Sequence, residues 1–247
     1  MGKPYKLLAL DMDGTLLNEK SEVSEENRRW IDRAIEAGIT VVFATGRGYP
    51  SALPFAEQLG LSSPMVLVNG GEVWASPDRL HSRTLLEPER VEALRELALR
   101  HEDTWYWAYS VERVYNKNEW VGDVREKEWL KFGFYTENTD ALREITQAIP
   151  AIGDFEVTNS HPCNLELNPK GVSKASGLHA VCGMLGIGMN DIVACGDSLN
   201  DVAMLREAGL GVAMGNAQDA VKAEADVVTL TNEEDGVAHV IRTYMLV

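Results

Sequence analysis

Near its start the chain reads Lys6-Leu7-Leu8-Ala9-Leu10-Asp11-Met12-Asp13-Gly14-Thr15. A short apolar run that ends in a turn signal predicts a strand buried on both faces. Because side chains alternate along an extended backbone, Asp11 and Asp13 are expected to point to the same side. Two like charges held so close are unfavourable unless a cation or a reacting group uses them. The pair therefore indicates a site at the end of this strand.

Three other interpretations of these acidic residues compete. An Asp-Gly pair after a strand is often only a turn, because glycine accepts a positive φ and aspartate caps its own backbone. A calcium loop would use Asp11, Asp13 and Glu22, but Leu16 stands where such a loop requires glycine. A signalling receiver domain, which accepts a phosphoryl group, also gathers acidic residues at strand ends. The remainder of the chain has to decide between them.

Composition restricts the classes of partner. The 247 residues are 45% hydrophobic and carry a net charge of −15, which argues against nucleic acid or an anionic membrane, because both attract basic proteins. No apolar run reaches the ~18 residues of a membrane-spanning helix, and residues 1–4 lead straight into the first strand, so we expect no signal peptide. The cysteines form no close pair, which favours free thiols and a cytoplasmic location; they are Cys163, Cys182 and Cys195. We expect a monomer or a weak homodimer.

The first third of the chain predicts alternating strands and helices. Ser24 before two glutamates and Gly38 after an apolar pattern predict a helix between them. Strands are predicted at 39–44, followed by Thr45, and at 65–68, followed by Asn69, with a helix at 50–59 between them. This order is typical of a parallel sheet with helical crossovers, in which ligands bind beyond the carboxyl ends of the strands.

The pattern changes in residues 83–167 and then returns. This segment holds clustered aromatic and β-branched strands with two predicted helices, which is typical of an α+β unit. After it, a helix opens at Ser173-Lys174, and a strand at 192–195 ends in Gly196-Asp197. The sequence therefore predicts a doubly wound, Rossmann-like α/β domain made of residues 1–82 and 168–247, with residues 83–167 inserted into it.

The polar residues at the predicted strand ends suit phosphoryl transfer. One carboxylate can attack phosphorus and split a difficult hydrolysis into two easier steps. Mg²⁺ held by carboxylates, together with a lysine, can offset the repulsion between the attacking carboxylate and the phosphate. Asp13 can act as general acid and base, and a hydroxyl with backbone N–H groups at Thr45-Gly46 can bind phosphoryl oxygens.

Four motifs resemble, in order, those of the haloacid dehalogenase-like superfamily. They are Asp-Met-Asp-Gly-Thr, Thr-Gly-Arg, a lone lysine before a helix, and Gly-Asp-Ser-Leu-Asn-Asp. The insertion between the second and third motifs resembles the α/β cap, of the C2B type, in Cof-type sugar-phosphate phosphatases. The resemblance spans essentially the whole chain and implies an Mg²⁺-dependent enzyme with an α+β cap domain.

The resemblance also implies roles for single residues. Asp11 is implied as the nucleophile and Asp13 as the general acid and base. The implied Mg²⁺ ligands are Asp11, the main-chain carbonyl of Asp13, and Asp197. The residues implied in phosphate binding are Thr45, Gly46, Lys174 and Asn200, with Asp201 holding Lys174 in place. Ser198-Leu199 replaces the small residues often found at these positions, which should matter little if both side chains point away from the metal.

Two further residues are assigned by their positions. Arg47 follows Thr45-Gly46 and is expected to reach the substrate, with a surface ion pair as the alternative. Asn69 is expected to shape the turn at a strand end.

The sequence thus predicts a phosphatase that acts on a small phosphorylated metabolite, such as a sugar phosphate, through an aspartyl-phosphate. A sugar phosphomutase would use the same intermediate and return the phosphoryl group to the sugar. A non-catalytic phosphate sensor or a receiver-type signalling protein is the alternative outside enzymes, although the insertion has no place in a receiver domain.

Overall fold

The structure is a computed structural model, and it describes residues 5–246. The predicted absence of a signal peptide concerns residues 1–4, which lie outside this range. Within residues 5–246, no helix combines the length and the apolar character needed to cross a lipid bilayer.

Strands and helices alternate at both ends of the chain, whereas the middle is richer in strands. The strands are β1 (Leu7–Leu10), β2 (Thr40–Phe43), β3 (Met65–Leu67), β4 (Glu72–Ser76), β5 (Arg79–Arg83), β6 (Trp105–Ser110), β7 (Val114–Asn116), β8 (Trp129–Tyr135), β9 (Phe155–Thr158), β10 (Asn164–Pro169), β11 (Ile192–Gly196), β12 (Leu210–Ala213) and β13 (Val227–Val228). The α-helices are α1 (Glu25–Glu36), α2 (Tyr49–Gln58), α3 (Pro88–Leu99), α4 (Thr139–Ile152), α5 (Lys174–Leu185), α6 (Val202–Glu207), α7 (Asp219–Lys222) and α8 (Gly236–Val240), the last continued by a π-helix (Ile241–Met245).

The chain divides into two compact units. The first comprises the described parts of Met1–Ser82 and Ser173–Val247, and the second is Arg83–Val172. The predicted boundary at residues 167 and 168 falls inside β10, whose Pro169 still pairs with Phe155 of β9. The inserted unit therefore extends further than predicted, because cutting at residue 167 would break this strand pair.

The first unit contains the predicted parallel sheet. Its strand order is β13-β12-β11-β1-β2, with Leu7 of β1 in register with both Ile192 of β11 and Thr40 of β2. Both β1 and β11 are buried along their whole length, as expected for continuous apolar runs in a parallel sheet. The order of the strands along the chain reverses between β1 and β11, and such a switch point is where open α/β sheets bind ligands.

The boundaries of α1 follow the predicted signals. The Ser24 hydroxyl accepts a hydrogen bond from the backbone N–H of Asn27 (3.1 Å), which satisfies one of the unpaired donors at the helix start. The helix ends before Gly38, whose φ of +84° lies in the left-handed region. Ile31 and Ala34 form its buried face.

The third predicted strand is shorter than expected and leads into a hairpin that the sequence analysis missed. It ends at Leu67, because Val68 and Asn69 both have positive φ, 52° and 56°. The chain then returns as β4 and β5, which form the sheet β3-β4-β5. A parallel bridge between Ala44 and Val66 links β3 to the chain just after β2.

The second unit has its own sheet and core. The strand order is β7-β6-β8-β10-β9, with antiparallel pairing throughout. Residues of α3 and α4 pack with one face of this sheet around a cluster that includes Tyr106, Trp129, Phe132 and Phe134. These aromatics are core residues, as predicted, whereas Trp105 is 37% exposed.

Gly133 offers a test of packing in the second unit. It pairs with Trp107 of the neighbouring strand, and a Cβ placed on it would overlap the indole ring of Trp107. We expect Gly133→Ala to lower the free energy of unfolding by about 1–3 kcal/mol, the usual effect of overpacking. Urea unfolding followed by tryptophan fluorescence would measure this, since four of the six tryptophans lie in the inserted unit.

Gly122→Ala is the matched control, because a Cβ at Gly122 meets no heavy atom within 4 Å. An equal loss of stability in both variants would mean that the contact with the Trp107 indole does not cause the destabilisation by Gly133→Ala.

Candidate active site

A buried lysine joins two of the predicted carboxylates. Asp11 follows β1, and its backbone N–H donates to the carbonyl of Cys195 at 3.1 Å, so the parallel pairing continues to this residue. Lys174 is the first residue of α5, and its Nζ donates to Asp11 Oδ1 (2.5 Å) and to Asp201 Oδ1 (2.7 Å). Lys174 is fully buried, so both ion pairs are shielded from water.

The end of β11 supplies the next carboxylate, Asp197. Its backbone N–H and that of Ser198 both donate to Asp201 Oδ2, at 2.9 and 3.0 Å. Asp201 thus uses one oxygen for the turn after β11 and the other for Lys174. Asp201 therefore contacts Lys174 directly, and its supporting role stays a prediction.

Each oxygen of Asp197 accepts a hydroxyl hydrogen bond. Thr15 Oγ1 donates to Asp197 Oδ1 (2.9 Å), and Ser198 Oγ donates to Asp197 Oδ2 (2.9 Å). Ser198 therefore points toward Asp197, a predicted metal ligand, so the condition under which its replacement would matter little is not met. A serine directly after Asp197 can turn its hydroxyl back onto that carboxylate because the side chains are adjacent.

Three carboxylates form a cluster with unfavourable charge. Single oxygens of Asp11, Asp197 and Asp201 all lie within 4.8 Å of one another. Burial, then repulsion by Asp201, raises the pKa of Asp197 from 3.8 to about 6, although hydrogen bonds from Ser198 and Thr15 oppose the shift. Burial likewise raises the pKa of Asp11, against the attraction of Lys174. The cluster therefore carries more negative than positive charge, and a divalent cation would supply the missing positive charge.

Burial alone would lower the pKa of Lys174, but attraction by Asp11 and Asp201 raises it above its ordinary value. Lys174 is therefore a fixed positive charge at neutral pH.

Arg47 pairs with Asp13, the predicted general acid and base. Its Nε and Nη2 donate to the two oxygens of Asp13 at 2.7 and 2.6 Å, and its guanidinium lies over the ring of Phe55 at 5.1 Å. The Arg47 backbone N–H donates to Thr45 Oγ1 (3.1 Å). Arg47 thus lies at the predicted site and forms an ion pair there, so features of both interpretations are present.

The last predicted group contains Asn200. Its Nδ2 donates to Asn69 Oδ1 at 3.2 Å, and the backbone N–H of Asn69 donates to the carbonyl of Thr45 (2.9 Å). The Oδ1 of Asn200 is buried and has no hydrogen-bond partner among the described residues. Asn69, in a left-handed conformation, shapes the turn after β3 as expected and also connects Thr45 to Asn200.

Comparisons with known proteins identify the family. Residues 8–241 match the haloacid dehalogenase-like hydrolase family. The chain belongs to this family. The 5-amino-6-(5-phospho-D-ribitylamino)uracil phosphatase YcsE of Bacillus subtilis is 45% identical over 241 residues, which cover 98% of this chain and 96% of the relative. A second B. subtilis phosphatase of the same description, YitU, is 34% identical, with 98% of both chains covered.

A solved haloacid dehalogenase-like hydrolase from B. subtilis has the same fold. It superposes with a TM-score of 0.87 at 28% identity, covering 97% of this chain and 99% of its own. These matches confirm the family, the fold class and the enzyme class predicted from the motifs. The chain is a phosphatase that acts on phosphorylated substrates.

Three polar residues that shape the site of this phosphatase were not predicted from the sequence. Thr15 and Ser198 contact Asp197, as described above. Asn216 donates from Nδ2 to the carbonyl of Gly14 (2.8 Å) and accepts from the backbone N–H of Asn232 (3.0 Å). Thr15 and Ser198 lie within the motifs quoted above, so their positions could have indicated a role at the site. Asn216 also follows a strand, but it belongs to none of these motifs.

The raised pKa of Asp197 predicts how the stability of the metal-free phosphatase depends on pH. Between pH 3.8 and about 6 the unfolded chain loses this proton while the folded chain keeps it. The free energy of unfolding due to this group should therefore fall by about 3 kcal/mol as pH rises through that window, and stay level above it. Thermal unfolding in EDTA at pH 4 to 8 would measure the trend.

Asp197→Asn removes this titration, so in EDTA it should gain stability relative to the wild type as pH rises through the same window. Asp32→Asn, on an exposed position of α1, is the control and should track the wild type. Parallel pH curves for Asp197→Asn and the wild type would contradict the assignment.

Proposed function

We propose that this phosphatase hydrolyses a small phosphomonoester through an aspartyl-phosphate formed on Asp11, with Mg²⁺ as cofactor. The observation that carries the proposal is the buried Asp11 carboxylate, with one oxygen on Lys174 and further carboxylates beside it. An exposed aspartate in a single ion pair is common on protein surfaces and would not indicate a catalytic role. A buried one with a fixed cation and a cluster of carboxylates is suited to attack an anionic phosphorus centre.

The two half-reactions use residues of this chain. An Asp11 oxygen attacks phosphorus, the bond from phosphorus to the ester oxygen breaks, and Asp13 gives its proton to that leaving oxygen. Water then attacks the phosphorus of the aspartyl-phosphate, Asp13 takes a proton from this water, and inorganic phosphate leaves with Asp11 restored. Arg47 contacts both oxygens of Asp13, so Asp13 must leave at least part of this pair to accept and deliver protons.

The carboxylate cluster fits a divalent cation. Asp201 is fully buried and accepts hydrogen bonds from Lys174 and from two backbone N–H groups. Each oxygen of Asp197 accepts a single hydroxyl hydrogen bond and so keeps a further lone pair for a cation. The proposed ligands are therefore Asp11, Asp197 and the main-chain carbonyl of Asp13. Hard oxygen donors of this kind suit Mg²⁺. When bound, the ion would offset the negative charge shared by substrate and carboxylates.

Other residues are proposed to hold the phosphoryl oxygens. Lys174 provides fixed positive charge, and Asp201 keeps it in position. The Thr45 hydroxyl oxygen already accepts from Arg47, so its hydrogen can donate to the substrate. Asn200 Nδ2 donates one hydrogen to Asn69 and has a second for the substrate. Gly46 is proposed to contribute its backbone N–H, and Arg47 a charged contact.

The substrate is proposed to be a phosphorylated sugar or sugar alcohol, and the foremost candidate is 5-amino-6-(5-phospho-D-ribitylamino)uracil. Support comes from the relative named for this activity, which is 45% identical over nearly the whole chain. We also propose that the first unit is the catalytic core and that Arg83–Val172 is the cap domain implied by the resemblance. A cytoplasmic location and a monomeric or weakly dimeric state stay predictions from the sequence.

Phosphate release from a panel of substrates tests the proposal. The panel would contain 5-amino-6-(5-phospho-D-ribitylamino)uracil, ribose 5-phosphate, glucose 6-phosphate, pyridoxal 5′-phosphate and p-nitrophenyl phosphate, each with Mg²⁺ and with EDTA. We expect Mg²⁺-dependent release, fastest with the ribitylamino uracil. Phosphate release at the same rate in EDTA would contradict the proposed Mg²⁺ dependence. Faster release from another compound would contradict the proposed substrate.

Sugar products should be analysed by NMR in the same reactions. Isomerised sugar phosphate without accumulation of free phosphate would indicate the phosphomutase instead.

A further inference from the structure

The carboxylate of Asp197 is fixed on several sides. Thr15 Oγ1 donates to one oxygen and Ser198 Oγ to the other, both at 2.9 Å. The Thr15 side chain comes from the loop after β1, 182 residues away in the chain, whereas Ser198 comes from the turn after β11. Both donors are buried, at 0% and 5% exposure, so water competes little for these hydrogen bonds.

The backbone of Gly14 closes a further side of the same carboxylate. A Cβ added there would lie 2.6 Å from Asp197 Oδ2, and its φ of +80° also favours glycine. Rotation of the carboxylate about its Cβ–Cγ bond is therefore opposed by two hydrogen bonds and by close backbone packing.

We propose that Thr15 and Ser198 are positioning residues that hold Asp197 as a one-oxygen ligand and thereby make the site select Mg²⁺ over Ca²⁺. The inference rests on the proposed function, which places a divalent cation beside Asp11 and Asp197. Neither hydroxyl is assigned to touch the metal or the substrate. Their effect is transmitted through the orientation of Asp197.

The selectivity follows from the different demands of the two ions. Mg²⁺ requires a nearly ideal octahedron with bonds of about 2.0–2.1 Å, whereas Ca²⁺ accepts irregular shells at about 2.3–2.6 Å and often takes both oxygens of a carboxylate. A carboxylate fixed through both oxygens is already oriented for the stricter ion. Turning it to present both oxygens to Ca²⁺ would break at least one hydroxyl bond.

Direct metal binding by the full chain tests the inference. Isothermal titration with MgCl₂ and, separately, CaCl₂ would compare wild type, Thr15→Val and Ser198→Ala. We expect each variant to bind Mg²⁺ about 10- to 100-fold more weakly, the usual effect of losing an outer-shell partner. Ca²⁺ affinity should change much less, so each variant should lose most of the preference for Mg²⁺ over Ca²⁺ that the wild type shows.

Thr15→Ser keeps the hydroxyl and should restore most of the Mg²⁺ affinity. Thr104→Val is the control for the threonine change, because the buried Thr104 hydroxyl has no hydrogen-bond partner among the described residues. Ser51→Ala, which removes a hydroxyl bond to the carbonyl of Gly48, is the control for the serine change. Both controls should bind the two ions as the wild type does.

The remaining outcomes are distinguishable. Unchanged Mg²⁺ affinity in folded Ser198→Ala and Thr15→Val would overturn the positioning role, and equal weakening for both ions would overturn the selectivity. If circular dichroism shows that Thr15→Val is unfolded, the metal affinities of Ser198→Ala and Thr15→Ser test the positioning role instead. A wild-type protein that hydrolyses phosphomonoesters in EDTA and binds no Mg²⁺ would instead refute the proposed metal site itself.

Discussion

Asp11→Asn is expected to abolish phosphate release while the chain stays folded. The amide keeps the shape of the carboxylate but lacks the charged oxygen that attacks phosphorus, so no aspartyl-phosphate can form. Loss of a covalent nucleophile reduces turnover by roughly 10⁴-fold or more. The amide oxygen can still accept from Lys174, which also keeps its contact with Asp201, so the buried cation is not left without an acceptor.

Steady-state phosphate release with the best substrate of the panel measures this effect. Rapid acid quenching with ³²P-labelled substrate adds a second readout, because wild type should carry protein-bound label and the variant none. Asp32→Asn makes the same chemical change on the exposed surface of α1 and should retain full activity. Turnover comparable with the wild type in folded Asp11→Asn would rule out the covalent mechanism.

Lys174→Met is expected to remove both activity and stability. Lys174 is fully buried and contacts Asp11 and Asp201 at 2.5 and 2.7 Å, so its removal leaves two buried carboxylates without their shared cation. Breaking a buried ion pair in this way lowers the free energy of unfolding by about 3–5 kcal/mol. Urea unfolding in EDTA, followed by circular dichroism, would measure the loss.

A double variant separates the electrostatic cause from a packing cause. Asp201→Asn in the Lys174→Met background removes one stranded charge, so it should recover part of the stability but none of the activity. Lys6→Met is the control, because Lys6 pairs with Asp191 at the surface (3.3 Å) and exposed pairs contribute about 1 kcal/mol or less. If the double variant is no more stable than Lys174→Met, buried charge is not the source of the loss.

The sequence was most informative where several local signals agreed. The apolar run before Asp11 predicted β1, and the run before Asp197 predicted β11. The parallel pattern predicted that both carboxylates would meet at one sheet edge, and single oxygens of Asp11 and Asp197 lie within 4.8 Å of each other. Capping signals at Ser24 and Gly38 placed α1 nearly to the residue, because they depend on local backbone geometry alone.

Features that depend on packing between distant segments were not predictable in this way. The hairpin of β4 and β5 was missed because β5 is mostly exposed and so lacks the apolar pattern used to find strands. The end of the inserted unit was placed too early because pairing of Pro169 with Phe155 decides it. The hydrogen bond from Thr15 to Asp197 joins residues 182 positions apart, so it depends on how two distant turns pack together.

The position of β1 between β2 and β11 also determines the order of events during protein synthesis. β1 and β2 are synthesised before β11, which follows only after the whole inserted unit. At about 5–20 residues per second, the 182 residues between Thr15 and Asp197 take about 10 to 40 s to translate. During that time one edge of β1 has no partner strand, while the residues of the inserted unit have emerged with their own core. The proposed site beside Asp11 is therefore completed only after β11 has been translated, and until then the unpaired edge of β1 is open to pairing with other chains.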